Sequence, residues 1–167
     1  MIYLAFSSQL ELDECLITFL YSISKFDEYH KNLKTNSKVF FGLMQKHIEP
    51  DPEKNEVALE SCRQKLFSMF HNLTENDEVC KELPISDFVK YTNKMFQTYS
   101  ESENFDSGNI NELAIKSLIN ICHHNKDAFE DENVELKDLL ENIARLYHRF
   151  ENLAKQYSLR LVTILTR

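Results

Sequence analysis

One five-residue pattern occurs four times and limits how the chain can fold. The copies are Leu16-Ile17-Thr18-Phe19-Leu20, Leu66-Phe67-Ser68-Met69-Phe70, Leu118-Ile119-Asn120-Ile121-Cys122 and Leu161-Val162-Thr163-Ile164-Leu165. Each reads apolar, apolar, small polar, apolar, apolar. On a helix the first, fourth and fifth positions share one face and the third points away from it. The copies begin at residues 16, 66, 118 and 161, so they lie 50, 52 and 43 residues apart, close to the length of a two- or three-helix repeat unit. Each of the first three is followed by a polar break and an acidic restart, with Asp27-Glu28 and Asp77-Glu78 at the same offset. A unit of this size cannot bury its apolar face alone, so successive units are expected to stack. Leu16, Leu66, Leu118 and Leu161 are then buried and equivalent.

The rest of the chain agrees with helices. Only two Gly and three Pro occur in 167 residues, and β-branched runs are few, which favours helices with short connections. The length suits a single domain spanning 1–167, large enough for a real core. Apolar spacing predicts a helix from Leu10 to about Phe26, a short turn over Tyr29–Leu33, and a second helix from Val39 to Ile48 that stops before Pro50. Glu49-Pro50-Asp51-Pro52-Glu53 is the clearest break, with Asp51 as N-cap and Pro52 at the first position of a helix running from Val57 through Leu73. Thr74-Glu75-Asn76-Asp77 opens a short acidic helix to Leu83, Ser86–Tyr99 is amphipathic, and residues 100–109 form a loop before a helix at Ile110–Cys122. A wide apolar stripe runs from Val134 to Tyr157 and either continues into Leu161 or pauses at Ser158 as an N-cap.

These elements resemble armadillo repeats. Pro84-Ile85-Ser86-Asp87-Phe88-Val89 looks like the opening of that family's second helix, and Ser117-Leu118-Ile119-Asn120-Ile121 is similar to its third-helix signature. Asn76-Asp77-Glu78-Val79-Cys80-Lys81-Glu82-Leu83 resembles the inter-repeat turn and short first helix. The family's glycine between first and second helices is missing, and Thr18, Ser68 and Thr163 stand where an Asn is expected. The resemblance implies an all-α, right-handed α-solenoid of armadillo type with about three to four repeats. Its last pentad ends at Leu165-Thr166-Arg167 without a cap, which predicts a fragment of a longer solenoid, or an oligomer or partner covering the C-terminal helix. A compact helical bundle, acting as a subunit or regulator inside a larger complex, is the alternative; four leucine-rich helices of any bundle would give similar pentads.

No chemistry-bearing motif stands out. Cys122, His123 and His124 fan out around a helix and cannot meet one ion. Cys62, His71 and Cys80 are nine residues apart each, which is no recognised zinc spacing. Glu56/Glu60 and Asp138/Glu141 have helical spacing, but acids in first turns ordinarily complement the helix dipole. There is no phosphate-binding Gly-rich loop and no nucleophile elbow. Neither a metal, a cofactor nor an enzymatic activity is expected. The four cysteines lack paired spacing, which fits a reduced cytoplasmic or nuclear setting. MIYLAF lacks a basic flank for a signal peptide, and no apolar run is long enough to span a membrane.

Charge points to protein partners. A net charge of −8 disfavours nucleic acid and counts against a peripheral membrane role. Lys31, Lys34, Lys38 and Lys46 are the only charged residues but for the histidines between Tyr29 and Ile48, and Arg145, Arg149, Lys155, Arg160 and Arg167 outnumber Glu151 near the end. The expected function is a scaffold or adaptor domain that binds another protein or a peptide segment along a concave groove. Thr18, Ser68, Asn120 and Thr163 would line it, widened by Gln64, Lys116 and His124. Asn120 leads because an amide both donates to and accepts from an extended backbone. Arg145, His148, Arg149, Asn152 and Gln156, read as one face of a continuous helix, form a second candidate surface for an acidic partner.

Overall fold

The computed structural model describes residues 9–47, 56–101, 109–130 and 134–166. Among the described residues the chain is all-helical, with α1 (Gln9–Ile23), α2 (His30–Thr35), α3 (Ser37–His47), α4 (Glu56–Thr74), α5 (Asp77–Cys80), α6 (Ile85–Glu101), α7 (Ile110–His124), α8 (Leu136–Leu146) and α9 (Asn152–Leu165). Three 3-10 turns occupy Asp27–Tyr29, Lys126–Phe129 and Tyr147–Arg149. After α1 the order is short, long, long three times over, with the 3-10 turn at Lys126–Phe129 as the third short element. No described helix is long and apolar enough to cross a membrane.

The four pentads fall on α1, α4, α7 and α9. These helices pack in that order, α1 on α4, α4 on α7 and α7 on α9, while α3 packs on α6 and α6 on α8. Paired helices run in the same direction, because contacts advance together along both partners. Thr18 meets Lys65 and Ser24 meets Asn72; Asn93 meets Glu135 and Tyr99 meets Arg149; Lys116 meets Tyr157 and His123 meets Arg160. Eight side-chain hydrogen bonds between elements join residues 42 to 50 apart in sequence. That separation matches the spacing of the pentads.

The core lies between the two rows of helices. Phe70 stacks on Phe88 with ring centroids 3.7 Å apart, Phe40 and Phe41 pack edge-on against Phe70, and Phe96 meets Phe150 at 6.0 Å. Buried aromatics of this kind contribute area and add about 0.5–1.5 kcal/mol per well-oriented pair. Between the short elements, Lys34 pairs with Glu82 at 2.6 Å and Lys31 with Glu78 at 3.3 Å, and Lys46 pairs with Asp13, so three of the four lysines in that stretch are paired with acids of their own chain. Asn76 caps α5 by accepting from the Val79 amide.

Two expectations are corrected. Leu66, Leu118 and Leu161 are buried, but Leu16 is 39% exposed, because α1 contacts α4 and α3 on one side while its Leu16 face meets no comparable neighbour among the described residues. The long C-terminal stripe neither runs unbroken nor pauses at Ser158. It breaks at Phe150–Glu151, where the backbone is extended, since buried Phe150 packs on Phe96 and Arg149 donates to the Tyr99 carbonyl at 2.6 Å. Ser158 is instead buried inside α9 and donates to the Ala154 carbonyl. The Asp51-Pro52 cap and Asp106-Ser107-Gly108 of the turn lie outside the described residues.

Candidate functional site

On α4, α7 and α9 the polar positions lie on the side away from buried or half-buried pentad residues, whereas on α1 Leu16 and Phe19 of the pentad are themselves exposed. On α4, Ser61, Gln64, Ser68 and His71 recur every three or four residues, with Glu75 just past its end, and all are at least partly exposed. Glu112, Lys116, Asn120 and His123 do the same on α7, and Gln156, Arg160 and Thr163 on α9. The strip runs obliquely rather than straight across. Thr18 touches Lys65, one turn before Ser68, whereas Asn120 touches Thr74, past Ser68 in the other direction.

Several of these groups are already bonded within the chain. The Thr18 hydroxyl donates to the Glu14 carbonyl at 2.7 Å and accepts from Lys65 Nζ at 2.9 Å. Thr163 donates to the Leu159 carbonyl. Such backward bonds occupy the hydroxyl proton and leave the oxygen as an acceptor. Asn120 Nδ2 donates to Thr74 Oγ1 at 3.3 Å, and the Thr74 hydroxyl donates to the His71 carbonyl at 2.7 Å. The Asn120 amide is thereby oriented from behind.

The middle of the surface is a cluster from three helices. Lys116 Nζ sits 2.6 Å from Glu112 Oε1 and 5.0 Å from the Tyr157 ring centroid. The hydrogen bond to Glu112 pushes the Lys116 pKa up, with the attraction of Glu112 adding to it, so the lysine is a fixed cation. His71 has Nε2 3.6 Å from Glu75 Oε1, and its buried Nδ1 has no hydrogen-bond partner. Burial lowers the His71 pKa, and the nearby Lys116 charge acts in the same direction; the imidazole is neutral at pH 7. His71 is absent from the sequence-derived groove residues although it lies on the Gln64–Ser68 stripe, and that periodicity was the signal available.

The other candidates divide. Gln64 is exposed and Ser68 half-buried on the polar surface. His124 turns toward α5, with Nδ1 3.2 Å from Asp77 Oδ1; bonding to Lys81, and secondarily the His124 contact, holds the Asp77 carboxyl below its usual range. The break at Phe150–Glu151 splits the second candidate surface. Arg145 is exposed near the end of α8, and Arg149 is bound to Tyr99. Asn152 belongs with Gln156 and Thr163 on the polar side of α9.

A buried polar network joins α1, α3 and α4. Asp13 Oδ2 lies 2.9 Å from His47 Nε2 and 2.5 Å from Lys46 Nζ. Arg63, 1% exposed, donates through Nε to the His47 carbonyl at 2.6 Å. No sequence pattern points to it: His47 fits an apolar stripe and Arg63 stands beside Cys62 with its partners far away in the chain. Cys62, Cys80 and Cys122 are buried, and burial pushes Cys80 up to about 11 and Cys122 up to about 12. All three are neutral thiols packed as small hydrophobes.

No protein-family model matches the chain, and neither the curated proteins nor the solved structures contain a significant match.

Proposed function

We propose that the chain is an armadillo-type α-solenoid whose polar surface on α1, α4, α7 and α9 binds an extended segment of a partner protein, as a scaffold or adaptor without enzymatic activity. The observation that carries this reading is the parallel packing of the four pentad helices, with inter-element bonds recurring at 42 to 50 residues. Neighbouring helices of an up-and-down bundle alternate in direction. Parallel neighbours one repeat apart are what a stack of two- or three-helix units produces. Each unit places one polar stripe on the same side, and a bound strand can cross them in turn.

The surface chemistry suits main-chain recognition. Asn120 offers an amide, and Thr18 and Thr163 hydroxyl oxygens. Lys116 adds a fixed cation that favours a segment carrying a carboxylate at that point.

A random peptide library selected against the immobilised chain tests the reading. Peptides enriched on the wild type should lose about tenfold or more in affinity on Lys116→Ala/Asn120→Ala, with the melting temperature unchanged. Enriched peptides that bind both proteins equally would remove this surface from consideration. A small-angle scattering profile of a compact sphere would count against the solenoid itself.

A further inference from the structure

Thr74 closes α4, is fully buried, and meets Asn120 of α7. Its hydroxyl oxygen lies 2.7 Å from the His71 carbonyl, one turn back, and 3.3 Å from Asn120 Nδ2. A hydroxyl has one proton and two acceptor sites. The 2.7 Å contact has the length of an O–H···O bond, so the proton goes to the His71 carbonyl, whose other lone pair takes the Glu75 amide at 3.2 Å. What Thr74 Oγ1 holds out to Asn120 is therefore a lone pair. An amide oxygen turned toward it would set two acceptors face to face, whereas the NH2 group can donate. The proton count thus fixes which end of the Asn120 amide faces inward.

The amide oxygen is left on the other branch of the side chain. Among the described residues nothing donates to Asn120 Oδ1, and the atom is open to solvent. The polar groups on either side of it are donors or already engaged. Lys116, one turn before it on α7, and Arg160, on α9, have no acceptor atom. Arg160 donates to His123 Nε2 at 3.1 Å, which occupies the acceptor nitrogen of that ring, and Lys116 holds Glu112 Oε1 at 2.6 Å. Between the two cations, Asn120 Oδ1 is a neutral acceptor, fixed in direction and with both lone pairs unused.

We infer that Thr74 is a positioning residue that commits Asn120 to accepting, and that what Asn120 accepts is a main-chain N–H of the bound segment. The inference rests on the peptide-binding reading above and narrows it. An unheld amide could turn either end to an extended backbone; this one spends an N–H on Thr74 and presents its oxygen. A segment carries an N–H at every residue except proline, whatever its side chains, so one fixed acceptor on its path finds a donor in any sequence. The residue that meets Asn120 is therefore free in its side chain but excluded from being proline. Thr74 touches no partner itself and acts only through Asn120.

The test has one arm without peptide and one with it. In the free 167-residue chain, nitrogen-15 NMR should show one Asn120 side-chain N–H protected from exchange with water. Thr74→Val, which keeps the shape and removes the hydroxyl, should lose that protection, and Thr74→Ser should retain it. Protection that is absent in the wild type, or unchanged in Thr74→Val, overturns the role of Thr74. For the second arm, a peptide selected on the wild type is methylated at one backbone nitrogen at a time. Methylation at one position should weaken binding about tenfold or more, while alanine at that position leaves it unchanged. Thr74→Val should also bind the parent peptide about tenfold more weakly, and Thr74→Ser within about threefold of wild type. The methyl scan uses the wild-type chain, so it stands even where a variant fails to fold. A scan with no sensitive nitrogen, or one in which only the side chain matters, overturns the main-chain contact. Equal binding to wild type and Asn120→Ala overturns the peptide-binding reading itself, and the exchange arm then decides the role of Thr74 alone.

Discussion

Replacing Asp13 with alanine tests whether the buried network holds α1 in place. The carboxylate is 7% exposed and receives His47 Nε2 at 2.9 Å from a side chain with no solvent exposure. Lys46 contacts the same oxygen but is 41% exposed, so solvent screens that pair to under about 1 kcal/mol. The larger loss comes from His47, whose buried Nε2 loses this acceptor, at about 1–3 kcal/mol. Together the substitution should cost about 1–4 kcal/mol, or roughly 2–16 °C in melting temperature for a chain of this size. Urea denaturation should move to a lower midpoint at unchanged slope.

The double variant Asp13→Ala/His47→Phe separates a specific pair from a general loss of packing. Removing both polar partners restores part of the stability lost with one, so the two substitutions should be non-additive by about 1–3 kcal/mol. Arg63 bonds the His47 carbonyl, not its ring, so that contact survives the substitution. An Asp13→Ala protein within about 0.5 kcal/mol of wild type, or strict additivity in the double variant, would refute the reasoning.

Two further outcomes follow from the same contacts. Leu118→Ala should destabilise by about 2–5 kcal/mol, because the residue is fully buried, while Leu16→Ala at the matching pentad position should cost under about 1 kcal/mol; equal losses in chemical denaturation would contradict the exposure of α1. The burial-lowered pKa of His71 means that the folded state resists its protonation, so stability present above the ordinary histidine range near about pH 6.5 is lost as pH falls below it. His71→Gln should therefore lose less stability than wild type between about pH 7 and pH 5, and parallel stability curves for the two proteins would refute that assignment.

Much of the fold was legible because the information is local. Pentad spacing located α1, α4, α7 and α9, and the scarcity of Gly and Pro left helices as the default. The position of Leu16 was not legible, since a pattern records which residues can be buried and not whether a neighbour arrives to cover them. The break at Phe150–Glu151 carries no Gly or Pro either; it is imposed by Phe96 and the Tyr99 carbonyl, about fifty residues back. His71 was within reach, because it repeats the spacing of Gln64 and Ser68. Asp13, His47 and Arg63 were beyond it, since each reads alone as a surface charge or an amphipathic filler until the chain brings them together.

That network also explains how α1 keeps an apolar stripe turned outward. Apolar attraction by itself would roll the helix until Leu12, Leu16 and Phe19 faced the core, because their stripe lies next to the one holding Ile17 and Leu20. Polar contacts at both ends oppose that rotation. Asp13 is fixed by His47 near the start. Just past the other end, buried Ser24 accepts from Asn72 Nδ2 at 3.0 Å through its hydroxyl and from His30 Nε2 at 2.7 Å through its carbonyl. Between them Lys65 reaches Thr18. Hydrogen bonds are directional where apolar contacts are not, so bonds spaced along the helix set its rotation as well as its position. Cutting the Asp13 end should then loosen the rotation of α1 together with stability, read as faster amide hydrogen exchange along Leu12–Leu20 than along α7.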